Sequence, residues 1–130
     1  MSKAIHVPEA PQFSLPFSHA VRAGDFVYVS GQVGVDPVTC QIVGQTIEEQ
    51  TRQCLRNLEI ILEAEGLTLD HVIKSNAFVS RPEDFPGYNK TYSEVFTKPY
   101  PARTTAPVAM GAYLVEIDVI AYSQAKRTID

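Results

Sequence analysis

Between Thr46 and Gly66 the chain carries an apolar stripe at helical spacing. Ile47, Cys54, Leu55, Leu58, Ile61 and Leu62 recur so that they share one face. Thr46 and Glu49 have the form of a capping box, in which each side chain serves the other residue's backbone N–H. Glu48 and Glu49 lie where the helix dipole favours negative charge, and Gly66 suits the C′ position. A helix of this kind holds only when other elements cover its apolar face, because most helical stability in proteins comes from packing.

The flanking segments supply that cover. Residues 17–22 and 26–30 read as strands, separated by the turn residues Ala23-Gly24-Asp25 and closed by Gly31. Residues 8–16 are rich in Pro and small residues and read as irregular, and Asp36-Pro37-Val38-Thr39 reads as a turn. Residues 72–79 form a third strand. Pro82 suits a helix start, and Phe85, Tyr88, Tyr92, Val95 and Phe96 make a second amphipathic stripe, with Pro86 tolerable in its first turn. Residues 103–110 and 114–122 read as two strands of a hairpin turning at Met110-Gly111-Ala112, and residues 123–130 as a polar tail. The economical packing is an α+β fold, a mixed sheet with both helices on one face. The other sheet face carries apolar and small residues, so a second copy of the chain is the simplest cover.

At 130 residues the chain is expected to be one domain, 1–130, large enough for a core. Its net charge of −4 and the lack of a Lys/Arg block weigh against a dedicated nucleic-acid binder. No apolar run approaches a membrane span, and the N-terminus lacks the apolar stretch of a signal peptide, so a cytoplasmic protein is expected. Cys40 and Cys54 form neither a disulfide framework nor a metal motif; Cys54 falls on the helix stripe as a core residue and Cys40 in a loop. His6, His19 and His71 show no metal spacing. Gly31 and Gly34 are followed by no phosphate-loop lysine. Tyr88 and Tyr92 fit packing better than substrate stacking.

Charge inside a β segment is costly, and Arg103, Glu116 and Asp118 all occupy such segments. In the hairpin, Thr105 would lie opposite Glu116, and Arg103 opposite Asp118. Two readings follow. One is a partly exposed cross-strand ion pair of Arg103 with Asp118, worth little. The other is a site in which the arginine fork grips a small carboxylate and Glu116 holds or activates a water.

Pro101-Ala102-Arg103 followed by Val115-Glu116-Ile117 resembles the signature of the RidA/YjgF family. Ser30-Gly31-Gln32 resembles the family's Ser-Gly-Gln strand, residues 50–66 its first helix, and Asp84-Phe85 with Asn89 and Tyr92 its second. The resemblance covers almost the whole chain. It implies a chorismate mutase-like α+β fold, a homotrimer with clefts between subunits, and hydrolysis of reactive enamines and imines to 2-oxo acids and ammonia without metal or bound cofactor. Arg103 matches the arginine that binds the substrate carboxylate, and Glu116 the glutamate that orients water. Ser30, Gly31 and Asn89 match pocket positions. Thr105 stands at a position often occupied by cysteine, and Phe17 where many active members have tyrosine, which removes one polar contact. The connection from Arg103 to Glu116 is slightly short. The readings that compete with a small-imino-acid deaminase are a deaminase of a larger, aminomuconate-type enamine acid, a non-catalytic carboxylate-binding regulator, and an RNA-directed activity.

Overall fold

The computed structural model describes residues 1–124. Six strands form one mixed sheet in the order β1-β2-β3-β6-β4-β5. They are β1 (Ser2–Ile5), β2 (Ala20–Ala23), β3 (Phe26–Val33), β4 (Val72–Val79), β5 (Ala102–Pro107) and β6 (Val115–Tyr122), with helices α1 (Ile47–Glu63) and α2 (Phe85–Val95). β4 and β5 run parallel, and every other pair is antiparallel.

Both helices cover one face of the sheet, as the stripes require. Leu55, Leu58, Ile61 and Leu62 of α1 are fully buried against Val27, Val29, Ile117 and Val119. The capping box forms as expected: Thr46 accepts from the Glu49 N–H, and Glu49 from the Thr46 N–H. Cys54 is a core residue whose thiol donates to the Gln32 carbonyl at 3.0 Å, and burial pushes its pKa up. α1 ends at Glu63, and Gly66, with φ of +73°, turns the chain two residues past the cap. α2 begins at Phe85 after a short 3-10 turn at Pro82–Asp84, and Tyr88, Tyr92 and Phe96 fill the space beside α1.

Four expectations are corrected. The strand expected from residue 17 begins only at Ala20, leaving Phe17 in a loop. β3 continues past Gly31 to Val33, through a register shift between Val29 and Gln32. β1 was not expected; Ser-Lys-Ala-Ile has no clear alternation, and backbone pairing with β2 adds it at the sheet edge.

The last correction bears most on function. β5 and β6 do not form a hairpin, because β4 lies between them. The amphipathic α2 acts as the crossover of a β-α-β unit and returns β5 parallel to β4. β6 then satisfies the other edge of β4, whose backbone groups need partners on both sides. Of the expected polar tail, residues 125–130 lie outside the described residues.

Candidate active site

Parallel pairing sets Arg103 opposite Ser75, on the helix side of the sheet. Ser75 is buried and shares a 2.9 Å hydrogen bond with the Tyr92 hydroxyl, which fixes that ring beneath the arginine. The guanidinium carbon lies 5.1 Å from the Tyr92 ring centre and 5.5 Å from that of Tyr88, within cation–π range. One guanidinium nitrogen donates to Asn89 Oδ1. Tyr88 and Tyr92 lie one turn apart on α2 with Asn89 next to Tyr88, so that one helix face props the arginine. Among the described residues no carboxylate pairs with Arg103. The side chain instead borders an open cavity of about 360 Å³ with Asn89, Ser93, Tyr100 and Pro101. The expected ion pair with Asp118 is absent: Asp118 is opposite Asn76 and accepts from its amide at 3.0 Å.

Thr105 is opposite Ala77, on the same face as Arg103. Its hydroxyl oxygen is buried beside that of Tyr88. Burial, followed by the neighbouring Tyr92, holds the Tyr88 phenol above its ordinary pKa. It therefore stays neutral under the arginine.

Glu116 is opposite Phe78, not Thr105. Side chains alternate along β6, and Val115, Ile117 and Val119 point into the core, so Glu116 and Asp118 point away from the helices. Burial, with a smaller contribution from the Asp118 charge, raises the Glu116 pKa from its ordinary value. A Cβ built on Gly31 would fall 2.7 Å from Glu116 Oε2, so the carboxylate occupies space that any other residue at 31 would fill. Phe17 and Gly31 border the same small cavity as Glu116. Ser30 donates its hydroxyl to the Ser18 carbonyl at 2.6 Å, holding the Phe17 segment to β3.

The residues singled out in the sequence thus fall into two groups on opposite faces of the sheet. Arg103, Thr105 and Asn89 are on the helix face; Glu116, Gly31 and Phe17 lie at the other. Arg103 and Glu116 stand two strands apart across the sheet, roughly 10 Å, and three residues apart along it.

The model of the family described as Endoribonuclease L-PSP matches residues 7–123. A RutC family protein of Saccharolobus solfataricus is 42% identical over 123 residues, 93% of this chain and 98% of that one. The YjgF gene product of E. coli superposes with a TM-score of 0.87 at 33% identity, covering 94% of this chain and 99% of that one. The chain belongs to the RidA/YjgF family.

Among its RidA/YjgF relatives, a protein of Dermatophagoides farinae named 2-iminobutanoate/2-iminopropanoate deaminase is 38% identical over 107 residues, 82% of this chain and 84% of that one. RidA from an Antarctic Psychrobacter has a TM-score of 0.87 at 34% identity, covering 92% and 98% of the two chains. Two features of this RidA/YjgF chain escaped the sequence reading. Tyr88 and Tyr92 prop Arg103 as well as filling the core; their spacing showed the buried stripe but not what lay above it. Phe13, Leu15, Val33 and Tyr113 join Phe17 around Glu116. No local pattern links these residues, which come from three separate segments.

Proposed function

We propose that this chain hydrolyses reactive enamine and imine acids of the 2-iminobutanoate and 2-iminopropanoate type to 2-oxo acids and ammonia. The observation that carries this reading is Arg103: a guanidinium propped by Asn89 and two tyrosine rings, beside a cavity, with no carboxylate partner among the described residues. Such a planar fork suits a substrate carboxylate, which accepts two parallel hydrogen bonds from it. The relative named as an imine deaminase supports the same chemistry.

Glu116 is the base. Its raised pKa favours accepting a proton from water more than an ordinary surface carboxylate would. Water oxygen adds to the C=N carbon while Glu116 takes one water proton and passes it to the imine nitrogen, giving a carbinolamine. Glu116 then takes the hydroxyl proton of that adduct and passes it to the amino group as the C–N bond breaks, forming the oxo group and releasing ammonia. Gly31 gives the carboxylate room, Ser30 holds the Phe17 wall, and Thr105 and Asn89 line the arginine side.

Because Arg103 and Glu116 face opposite ways, the site is completed between copies. A homotrimer whose bare sheet faces turn inward brings the arginine of one copy to the glutamate of the next. The exposed Phe26 and Tyr28, on the face away from the helices, support such burial. A nucleic-acid activity would need a basic surface that a chain of net charge −4 lacks.

The test couples a threonine or serine dehydratase to this protein and follows release of the 2-oxo acid. Acceleration is expected. Arg103→Ala should lower kcat/KM roughly 100-fold or more, because charge-assisted hydrogen bonds are lost. Arg103→Lys should also be strongly impaired, since a point charge cannot replace the fork. No acceleration, or acceleration that survives Arg103→Ala, would overturn the proposal.

A further inference from the structure

The cavity beside Glu116 is walled by apolar side chains. Phe13, Leu15 and Phe17 reach it from the N-terminal loop, Val33 from β3 and Tyr113 from the connection before β6. Its volume is about 180 Å³. An apolar cavity of about 150 Å³ accepts a benzene-sized guest. Leu15 is 62% exposed and Phe17 45%, so large apolar surface faces water beside the carboxylate.

The wall is built in advance of any ligand. His19 is buried, and its Nδ1 accepts from the Val7 N–H at 3.0 Å. The ring's other nitrogen must then carry the hydrogen, and it donates to the Pro11 carbonyl at 2.9 Å. Gln12 donates to the Val7 and Ala10 carbonyls at 2.9 and 2.8 Å. These bonds anchor the loop immediately before Phe13 and after Phe17. A loop held this way loses little further freedom when it receives a ligand.

We infer that this cavity receives the substrate's side chain and selects for a branched or aromatic one, so that the preferred substrates are 2-imino acids with large apolar side chains rather than 2-iminopropanoate. The inference rests on the imine-deaminase function proposed for the site. The carboxylate is held at Arg103 and the C=N carbon is placed at the Glu116 water, leaving the side chain to point along the apolar wall. A methyl group leaves most of that wall wet. An isobutyl or benzyl group covers it. A side chain with its own carboxylate would meet Glu116 and an apolar surface, and is rejected.

The experiment generates 2-imino acids in situ with an L-amino-acid oxidase from alanine, leucine, phenylalanine and glutamate. It compares kcat/KM for their hydrolysis, and measures binding of pyruvate and 4-methyl-2-oxopentanoate by calorimetry. The leucine-derived imino acid is expected to exceed the alanine-derived one by roughly tenfold or more, and the glutamate-derived one to be poorest. Leu15→Asn and Phe17→Ser should each narrow the leucine-to-alanine ratio. Equal or better use of the alanine-derived substrate, or a ratio unmoved by both variants, overturns the inference while leaving the deaminase standing. Tighter binding of 4-methyl-2-oxopentanoate without any turnover supports the side-chain pocket and overturns the deaminase. Neither turnover nor a binding preference overturns both.

Discussion

Arg103 and Glu116 are each held in an unusual state by their neighbours. Among the described residues the arginine has aromatic rings and an amide beside it and no carboxylate partner. The glutamate is half-buried, and its pKa is raised first by desolvation and then by Asp118. A carboxyl with a raised folded-state pKa binds its proton more tightly in the native chain than in the unfolded one. Folding stability therefore falls as pH rises from the ordinary glutamate value, about 4.3, through the higher native value. Glu116→Gln removes this loss. The variant should match the wild type in melting temperature at acid pH and exceed it near neutrality, while kcat falls roughly 100-fold or more. Thermal melts from pH 4 to 8 check the first expectation, and the coupled assay the second. A wild type more stable than Glu116→Gln near neutral pH would show the carboxylate to be favourably held.

At the scale of elements, α1 does more than bury a stripe. Asn57 is fully buried, and its amide donates to the carbonyls of Val33 and Val35 at 3.0 and 2.9 Å, pinning the chain where it leaves β3. Asn57→Leu adds apolar volume yet leaves both carbonyls without that donor, at about 1–3 kcal/mol each. A lowered urea midpoint with an unchanged slope is expected. Close by, a Cβ on Gly34 would lie 2.6 Å from the Gln50 backbone oxygen, and a backbone atom cannot swing aside. Gly34→Ala should destabilise by about 1–3 kcal/mol in the same measurement. Both helices, the capping box of α1 and five of the six strands were legible in the sequence, because period and capping are local signals. The strand order was not. Two strand-like runs joined by Met110-Gly111-Ala112 looked like a hairpin, whereas the helix between β4 and β5 made those two the neighbours. Consequently the identity of the charged residues was legible, and their partners were not: Asn76 took Asp118, and Asn89 took Arg103. Likewise, Phe13 and Leu15 gave no local sign that they would meet Glu116.

At the scale of the whole molecule, one sheet separates the two groups that the proposed chemistry needs. Arg103 looks toward the helices and Glu116 away from them, and no side-chain rotation brings them together through the sheet. Either they serve different purposes, or one copy lends its arginine to the glutamate of another. The second alternative makes each single variant, Arg103→Ala or Glu116→Ala, defective at every site of its own assembly. A mixed assembly would restore sites in which an intact arginine meets an intact glutamate from the neighbouring copy. With equal amounts and free exchange, roughly a quarter of the interfaces have that combination. The decisive measurement is therefore imine hydrolysis by the two variants, alone and after co-refolding as an equal mixture. Each variant alone should be nearly inactive, and the mixture should recover roughly a quarter of the wild-type rate. A co-refolded mixture no more active than the variants alone would contradict a site shared between copies.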